Sequence, residues 1–282
     1  MSRVIEVRNQ LAGISRINSM MQAMQVVAVV QLRQAQSRET MARHMRRHFD
    51  RLVGRLKLPS SPASLATVER LFVGGSDRGF CGDFNDKLAT ELKKFLAQQK
   101  MPETFEIVVL GNRGGEKFRQ RGMPKISRFV PNPVVKSKEL IGKEFLAEAR
   151  QAWQDFQAGR IGAVYVLYNE FHSMLSQNPR LVQVFPLIAA SEGESSLLCE
   201  PDEETVRHQV AEYYLQAVFN DVFMQSRLGE VAVRLMTMRG ATENSKEMIS
   251  ALRIKLNKAR QAAITFELSE IASSFEILKE GE

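Results

Sequence analysis

The apolar positions of this chain change period twice. Near the start, Val4, Val7, Leu11, Ile14, Met21, Ala28, Leu32 and Ala35 share one heptad frame, with Asn18 and Gln25 as its polar members. Near the end, Ile249, Leu252, Leu256, Ala259, Ala263 and Phe266 follow the same alternation of three-residue and four-residue steps. A second stripe then opens at Leu268, Ile271, Phe275 and Leu278. Apolar residues repeating every ~3.5 positions make a coiled-coil seam, too narrow to bury itself without a partner helix. Each seam is the expected partner of the other. A buried Asn in such a frame fixes register at a cost in stability, which is the reading of Asn18.

Between the seams the pattern shortens. RLFVG (Arg70–Gly74), FEIVVL (Phe105–Leu110), AVYVLY (Ala163–Tyr168) and the run Leu181–Leu187 read as strands. Helices are expected near Lys87–Gln98, Glu116–Arg121 and Lys138–Gln157. Strands alternating with helices predict an α/β unit with a largely parallel, Rossmann-like sheet. The loops SDRGFCGDFN (Ser76–Asn85) and GNRGG (Gly111–Gly115) follow its first two strands.

Proline and glycine set the boundaries. All nine prolines lie between Pro59 and Pro201, as do twelve of the seventeen glycines. A proline inside a helix costs ~3 kcal/mol or more, so the proline-free ends are open to long helices. PSSPAS (Pro59–Ser64) marks one boundary and CEPDEE (Cys199–Glu204) the other, where Asp202 can cap the helix that follows. The expected organisation is an N-terminal helix over residues 1–58, an α/β domain over 59–201 and a C-terminal helix over 202–282. The fold class is α/β: a long antiparallel coiled coil of the two terminal helices with an inserted Rossmann-like domain. The pair is antiparallel because the insert joins the helices at one end.

Charge adds a polarity to this plan. The formal net charge is +7, yet eleven basic and only three acidic residues fall between Arg3 and Lys57, so the first helix carries the whole surplus. Arg43, Arg46, Arg47, Arg51 and Arg55, with His44 and His48, form a basic stretch late in it. Such a face suits nucleic acid, an acidic membrane surface, an acidic protein or plain solvation. VVAVV (Val26–Val30) is far short of the ~20 apolar residues of a membrane span and reads as a well-packed helix segment. Arg3, Glu6 and Arg8 interrupt any secretory leader pattern, and two cysteines, Cys81 and Cys199, point to a reducing compartment.

Catalytic patterns do not emerge. GGSDRGFCG is not a GxGxxG turn, and no GxxxxGK[ST] phosphate loop occurs. His44, His48, His172 and His208 lack zinc spacing, and the cysteines form no CxxC. Ser76–Asp77 has no evident base, and Cys81 reads as a small buried residue rather than a reactive thiol. No catalytic, metal-ligating or cofactor-binding residue is therefore expected.

Three stretches carry a resemblance. INSMMQAMQVVAVVQLRQAQ (Ile17–Gln36), SDRGFCGDFN, and NKARQAAITFELSEI (Asn257–Ile271) with MRGATEN (Met238–Asn244) upstream, together resemble the gamma subunit of F-type ATP synthase in a somewhat divergent, bacterial-type form. The resemblance implies a non-catalytic rotor shaft inside a ring of alternating alpha and beta subunits. The α/β domain would sit at its foot, beside the epsilon subunit and the membrane c-ring. Its rotation would couple ion flow to ATP synthesis or hydrolysis on the beta subunits, at the cytoplasmic face of a bacterial inner membrane. Nucleic acid, cofactors and a small-molecule substrate of its own are not implied.

The resemblance also implies contact residues. Arg260 and Gln261 match family residues that touch the surrounding ring, and Thr265 lies close to them. Met24 matches a methionine near acidic ring loops, although coiled-coil packing explains it equally well. The chain departs from the family at Gln22, where Lys is usual, at Val29, Val30 and Gln31 in place of Ala-Ser-Lys, and at Phe266 in place of Gln. These changes remove charge and fit a divergent lineage or a second, specialised ATP synthase. The two-cysteine insertion of the plant chloroplast form is absent, so thiol control is not expected.

Two other classes compete. A basic coiled-coil nucleic-acid-binding protein would show salt-sensitive DNA affinity, and an α/β enzyme with helical extensions would bind nucleotide through its insert. The isolated chain is expected to release no phosphate from ATP. Turnover that disappears on substitution within Gly111–Gly115 would overturn that expectation.

Overall fold

A computed structural model describes residues 2–56, 67–123, 126–130, 143–186 and 199–279. The elements run α1 (Ser2–Leu56), β1 (Glu69–Gly74), α2 (Phe84–Ala97), a 3-10 turn (Pro102–Thr104), β2 (Phe105–Leu110), α3 (Asn112–Gln120), β3 (Ile126–Val130), α4 (Lys143–Gln157), β4 (Ala163–Phe171), β5 (Gln177–Phe185) and α5 (Glu203–Lys279). The Pro59–Ser64 boundary, the first residues of the helix expected from Lys138, and Leu187 lie outside the described residues. The chain divides into two compact units, Ala28–Arg234 and the first 27 residues with those from Leu235 onward.

The larger unit is built on a five-stranded sheet of order β3-β2-β1-β4-β5. β1 pairs in parallel with both β2 and β4, and β3 in parallel with β2, while β5 returns antiparallel to β4. Side chains alternate across the sheet, so Leu71 and Val73 face one layer and Phe72 the other. The first layer is α2 and α3, which supply Phe84, Leu88, Leu92 and Phe118. The second combines α4 (Trp153, Phe156), α5 (Leu215, Val218, Phe219, Val222) and the end of α1 (Phe49, Leu52, Val53, Leu56). Phe72 and Phe219 meet edge to face with centroids 4.7 Å apart, a preferred aromatic geometry.

Within this unit α1 and α5 run antiparallel. Arg46 pairs with Asp221, while Asp50, further along α1, meets Tyr214, earlier on α5. The heptad frame of α1 continues past Ala35 through Glu39, Ala42, Arg46, Phe49, Val53 and Leu56, all buried or half-buried. At the start of α5 the Thr205 N–H donates to Asp202 Oδ1 (2.8 Å) and the Thr205 hydroxyl to Oδ2 (2.8 Å), so Asp202 is the cap that its position suggested.

Several boundaries differ from expectation. α3 begins at Asn112, so Gly114 and Gly115 are helical rather than part of a loop. α2 begins at Phe84, whose buried ring belongs to the core. β3 was not anticipated, since Ser127 and Arg128 break its apolar run. β5 starts early and carries Pro179, which an edge strand tolerates.

In the smaller unit both seams are visible in the burial. On α1, Val7 is buried, and Val4, Leu11, Ile14, Asn18, Met21 and Gln25 are half-buried. On α5, Met238, Thr242 and Ser245 are buried, and Ile249, Leu252, Leu256, Ala259 and Ala263 are half-buried. The two hydroxyls bond back to Met238 O (2.8 Å) and Ala241 O (2.6 Å), so neither is left unsatisfied in the seam. Asn18 Oδ1 is buried without a hydrogen-bond partner among the described residues. The seam stops at Ala263, contrary to expectation. Phe266, Leu268 and Ile271 are all more than 60% exposed, and the side chains of Phe275 and Leu278 lie outside the description. VVAVV is also not a packed segment. Only Ala28 is buried, whereas Val26, Val27 and Val30 are exposed, because a narrow seam reaches one residue in each ~3.5.

Gly114 tests the packing of the larger unit. A Cβ there would lie 2.7 Å from Gly75 Cα, backbone against backbone. Helix propensity alone favours Ala over Gly by ~1 kcal/mol, but the overpacking is expected to dominate. Gly114→Ala should therefore lose ~1–3 kcal/mol in urea denaturation, and a gain in stability would refute the close crossing.

Candidate functional site: a filled crevice and two helix surfaces

In an open α/β sheet, ligands bind beyond the carboxyl ends of the strands, where the strand order reverses. Here that place lies between β1 and β4, and protein fills it. Ser226 Oγ of α5 donates to Gly74 O at 3.0 Å. Gly229 lies so close that a Cβ would come within 3.3 Å of the Phe84 ring. From β4, Asn169 Nδ2 donates to Phe84 O at 2.9 Å. The loop after β1 spends its polar groups inward. Asn85 Nδ2 donates to Ser76 Oγ (2.7 Å), the Ser76 N–H donates to Asn85 Oδ1 (3.0 Å), and the Cys81 thiol reaches Ser76 Oγ (3.4 Å). Cys81 is buried, and burial pushes its thiol up, so it is protonated and unreactive at neutral pH. Gly111, at φ +100°, passes against Gly75 and Ser76, where only glycine fits. Ser76, Cys81 and Asn85 of the SDRGFCGDFN motif thus hold the loop together, and Gly111 and Gly114 of the GNRGG run let it approach at backbone distance.

Next to this crevice two charges are buried on α5. Glu230 is only 1% exposed. It accepts from Arg227 Nη1 (3.1 Å), from Arg234 Nη2 and from the Arg78 backbone N–H (3.4 Å). Arg234 Nε in turn donates to Gly79 O at 3.2 Å. The i, i+4 spacing of Glu230 and Arg234 is the sequence signal for this pair.

The basic stretch of α1 divides into two sets. Arg46 turns inward, and its Nη1 lies 3.1 Å from Asp221 Oδ2, whose side chain is 3% exposed. Burial is the largest influence and pulls the Arg46 guanidinium down, but Asp221, Tyr214, Asp50 and Tyr168 together outweigh it and hold the pKa above the ordinary value. Arg43 pairs with the buried Glu39, whose carboxyl is pushed up by burial despite the nearby arginines. His44, Arg47, His48, Arg51 and Arg55 face outward. Glu39 and Arg46 sit in the heptad frame of α1 and could have been read from it.

In the smaller unit Arg260, Gln261 and Thr265 are all exposed on α5. Gln261 and Thr265 stand one turn apart, joined by the Thr265 Oγ1 bond to Gln261 O at 3.0 Å. Their neighbours Ala259 and Ala263 face the seam. Met24 is half-buried on α1, beside the seam positions Met21 and Gln25. Among the described residues no group of three or more His, Cys, Asp or Glu could hold a metal ion, and no helix is long and apolar enough to cross a membrane.

The family model described as ATP synthase matches residues 3–278. The ATP synthase gamma chain of Chlorobaculum parvum is 32% identical over 98% of both chains. The chain belongs to the ATP synthase gamma-chain family. The gamma chain of Chlorobium phaeobacteroides is 31% identical over 97% of this chain and 98% of that relative. A cryo-EM structure of Euglena gracilis mitochondrial ATP synthase, OSCP/F1/c-ring, contains a chain with the same fold at a TM-score of 0.74. That match has 16% identity and covers 99% of this chain and 96% of the other. As a gamma-family member, the chain is a subunit of an enzyme complex.

The Arg46–Asp221 pair gives a test of the inner helix contact. Removing one partner of a buried ion pair leaves an uncompensated charge and costs ~3–5 kcal/mol. Arg46→Ala should fall near the lower end of that range, because Gln225 Nε2 still donates to Asp221 Oδ1 at 2.9 Å. The double change Arg46→Met with Asp221→Leu should cost less than half as much as Arg46→Ala in guanidinium denaturation. Equal losses would show that the pair is not buried together.

Proposed function

We propose that this chain is the rotating central stalk of an F1Fo ATP synthase. In this reading it turns inside a ring of alpha and beta subunits, with the epsilon subunit and the membrane c-ring beside its α/β domain. It carries no catalytic step. Ion flow through the membrane sector turns it, and its turning drives ATP synthesis on the beta subunits, or hydrolysis drives it in reverse. Residues 1–58 and 202–282 serve as shaft and residues 59–201 as foot, on the cytoplasmic face of a bacterial inner membrane. The observation that carries the reading is the extent of the family match, which takes in both long helices and the sheet together. Two features support it. A rotor needs long helices free of proline, and α1 and α5 have 55 and 77 residues. The outward cations of α1 also offer a face that acidic loops can track by charge without tight packing.

The nucleic-acid reading is the weaker one. Two of the five arginines of the basic stretch are engaged with Glu39 and Asp221 inside the chain. A rotor surface also accounts for the remaining cations, and the same reading accounts for the family match.

Arg260, Gln261, Thr265 and Met24 are proposed as contacts with the ring. The arginine fork suits a carboxylate and is not reproduced by lysine. The test tags the chain and purifies its complex from native membranes, where alpha, beta and epsilon subunits should be recovered. Arg260→Ala with Gln261→Ala should leave that complex intact by gel filtration. Losing a hydrogen bond to a charged group, worth ~1.5–3 kcal/mol, should lower synthesis and hydrolysis together by about tenfold or more. Normal rates in an intact complex would show that these side chains do not transmit force.

A further inference from the structure

Ser226, Glu230 and Arg234 are spaced four residues apart and so form one stripe along α5. Their partners on the α/β side are main-chain atoms of one short stretch: Gly74 O (3.0 Å), the Arg78 N–H (3.4 Å) and Gly79 O (3.2 Å). We propose that this clasp is the joint through which turning force passes between the α/β domain and α5. The proposal rests on the reading of the chain as a rotating stalk, and assigns to three side chains a task inside it.

Three properties fit the stripe for that task. The first is direction. Apolar burial is non-directional, whereas a hydrogen bond weakens steeply as it leaves its line. A turn of α5 about its own axis would strain all three bonds at once. The second is stiffness on the domain side. Gly74 ends β1, the central strand, whose backbone is held by β2 and β4 on either side. A main-chain partner has no rotamer to yield. The third is seclusion. Glu230, Ser226 and Arg234 are all buried, so water does not readily replace the broken bonds during a twist.

The experiment uses the whole ATP synthase complex. The ring is fixed to a surface, and a rod is attached through Lys94→Cys, whose side chain is 69% exposed on α2. Angular fluctuation of the rod at stall reports the compliance of the rotor. Glu230→Gln and Ser226→Ala are compared with Val233→Ala, which trims a side chain packed on the same core without touching the three bonds. The expected result is a rise in angular variance of roughly twofold for Glu230→Gln, since two of the three directional links involve its charge or its arginine. ATP hydrolysis should remain near wild type. Val233→Ala should lower the melting temperature and leave the variance unchanged. Wild-type variance in an assembled Glu230→Gln complex overturns the proposal, as does an equal rise in Val233→Ala. If Glu230→Gln does not assemble, Ser226→Ala carries the same two outcomes with a smaller rise. A wild-type complex whose rod does not rotate at all would instead remove the stalk reading, so the two failures are distinct.

Discussion

The structure depends on one helix satisfying two different surroundings in sequence. From Ala217 to Ser226 every residue of α5 is buried, because the helix is at once a layer on the sheet and the partner of α1. A helix buried all round cannot be amphipathic in the ordinary sense, and its polar residues must find partners within the protein. They do so in different directions. Asp221 pairs with Arg46 of α1, and Ser226 bonds to Gly74 at the end of the central strand. Beyond Met238 the requirement changes to a single narrow seam, and the other faces of the same helix return to solvent. The change occurs without a break, since no proline falls in α5.

This accounts for the placement of buried charge. A buried ion pair adds little net stability over an apolar substitute, so Arg46–Asp221 and Glu230–Arg234 do not make the core stronger than leucines would. They differ from the apolar contacts among Phe72, Phe219 and Val222 in having a direction. Only one rotation brings Asp221 to Arg46 and Ser226 to Gly74. The glycines contribute in the same way. Gly75, Gly111 and Gly114 let two loops cross at backbone distance, which draws the first turn of α3 close to the loop that α5 holds.

The sequence was most legible where one physical rule acts alone. Both heptad frames appear as spacing, and burial follows them from Val4 to Ala35 and from Ile249 to Ala263. FEIVVL is β2 with its boundaries as expected, since a strand buried on both faces needs an unbroken apolar run. Legibility failed where two rules compete. Phe266 continues the spacing of the seam yet is exposed, because spacing describes one helix and burial requires two. The GNRGG run reads as a loop by composition, yet Gly114 and Gly115 are helical, and glycine stands at 114 because a larger residue would strike Gly75. β3 was missed because its pairing to β2 carries the strand through Ser127 and Arg128. Of the candidate site, Arg260, Gln261 and Thr265 came from resemblance and not from spacing. The clasp of Glu230 and Arg234 is not legible in the sequence, because i, i+4 charge pairs are common on exposed helices and burial alone makes this one different.

The filled crevice is the deepest consequence of the design. A sheet of this order has a ready place for a ligand at its point of reversal, and the chain closes it with a helix that must be there for another reason. Ser226 and Gly229 occupy the opening, and the loop that could have cradled phosphate turns its Ser76 and Asn85 toward each other. Opening the crevice would mean lifting α5, which would also expose Phe219 and part Asp221 from Arg46. What a Rossmann-like sheet ordinarily offers to a ligand is used here to grip a helix of the same chain.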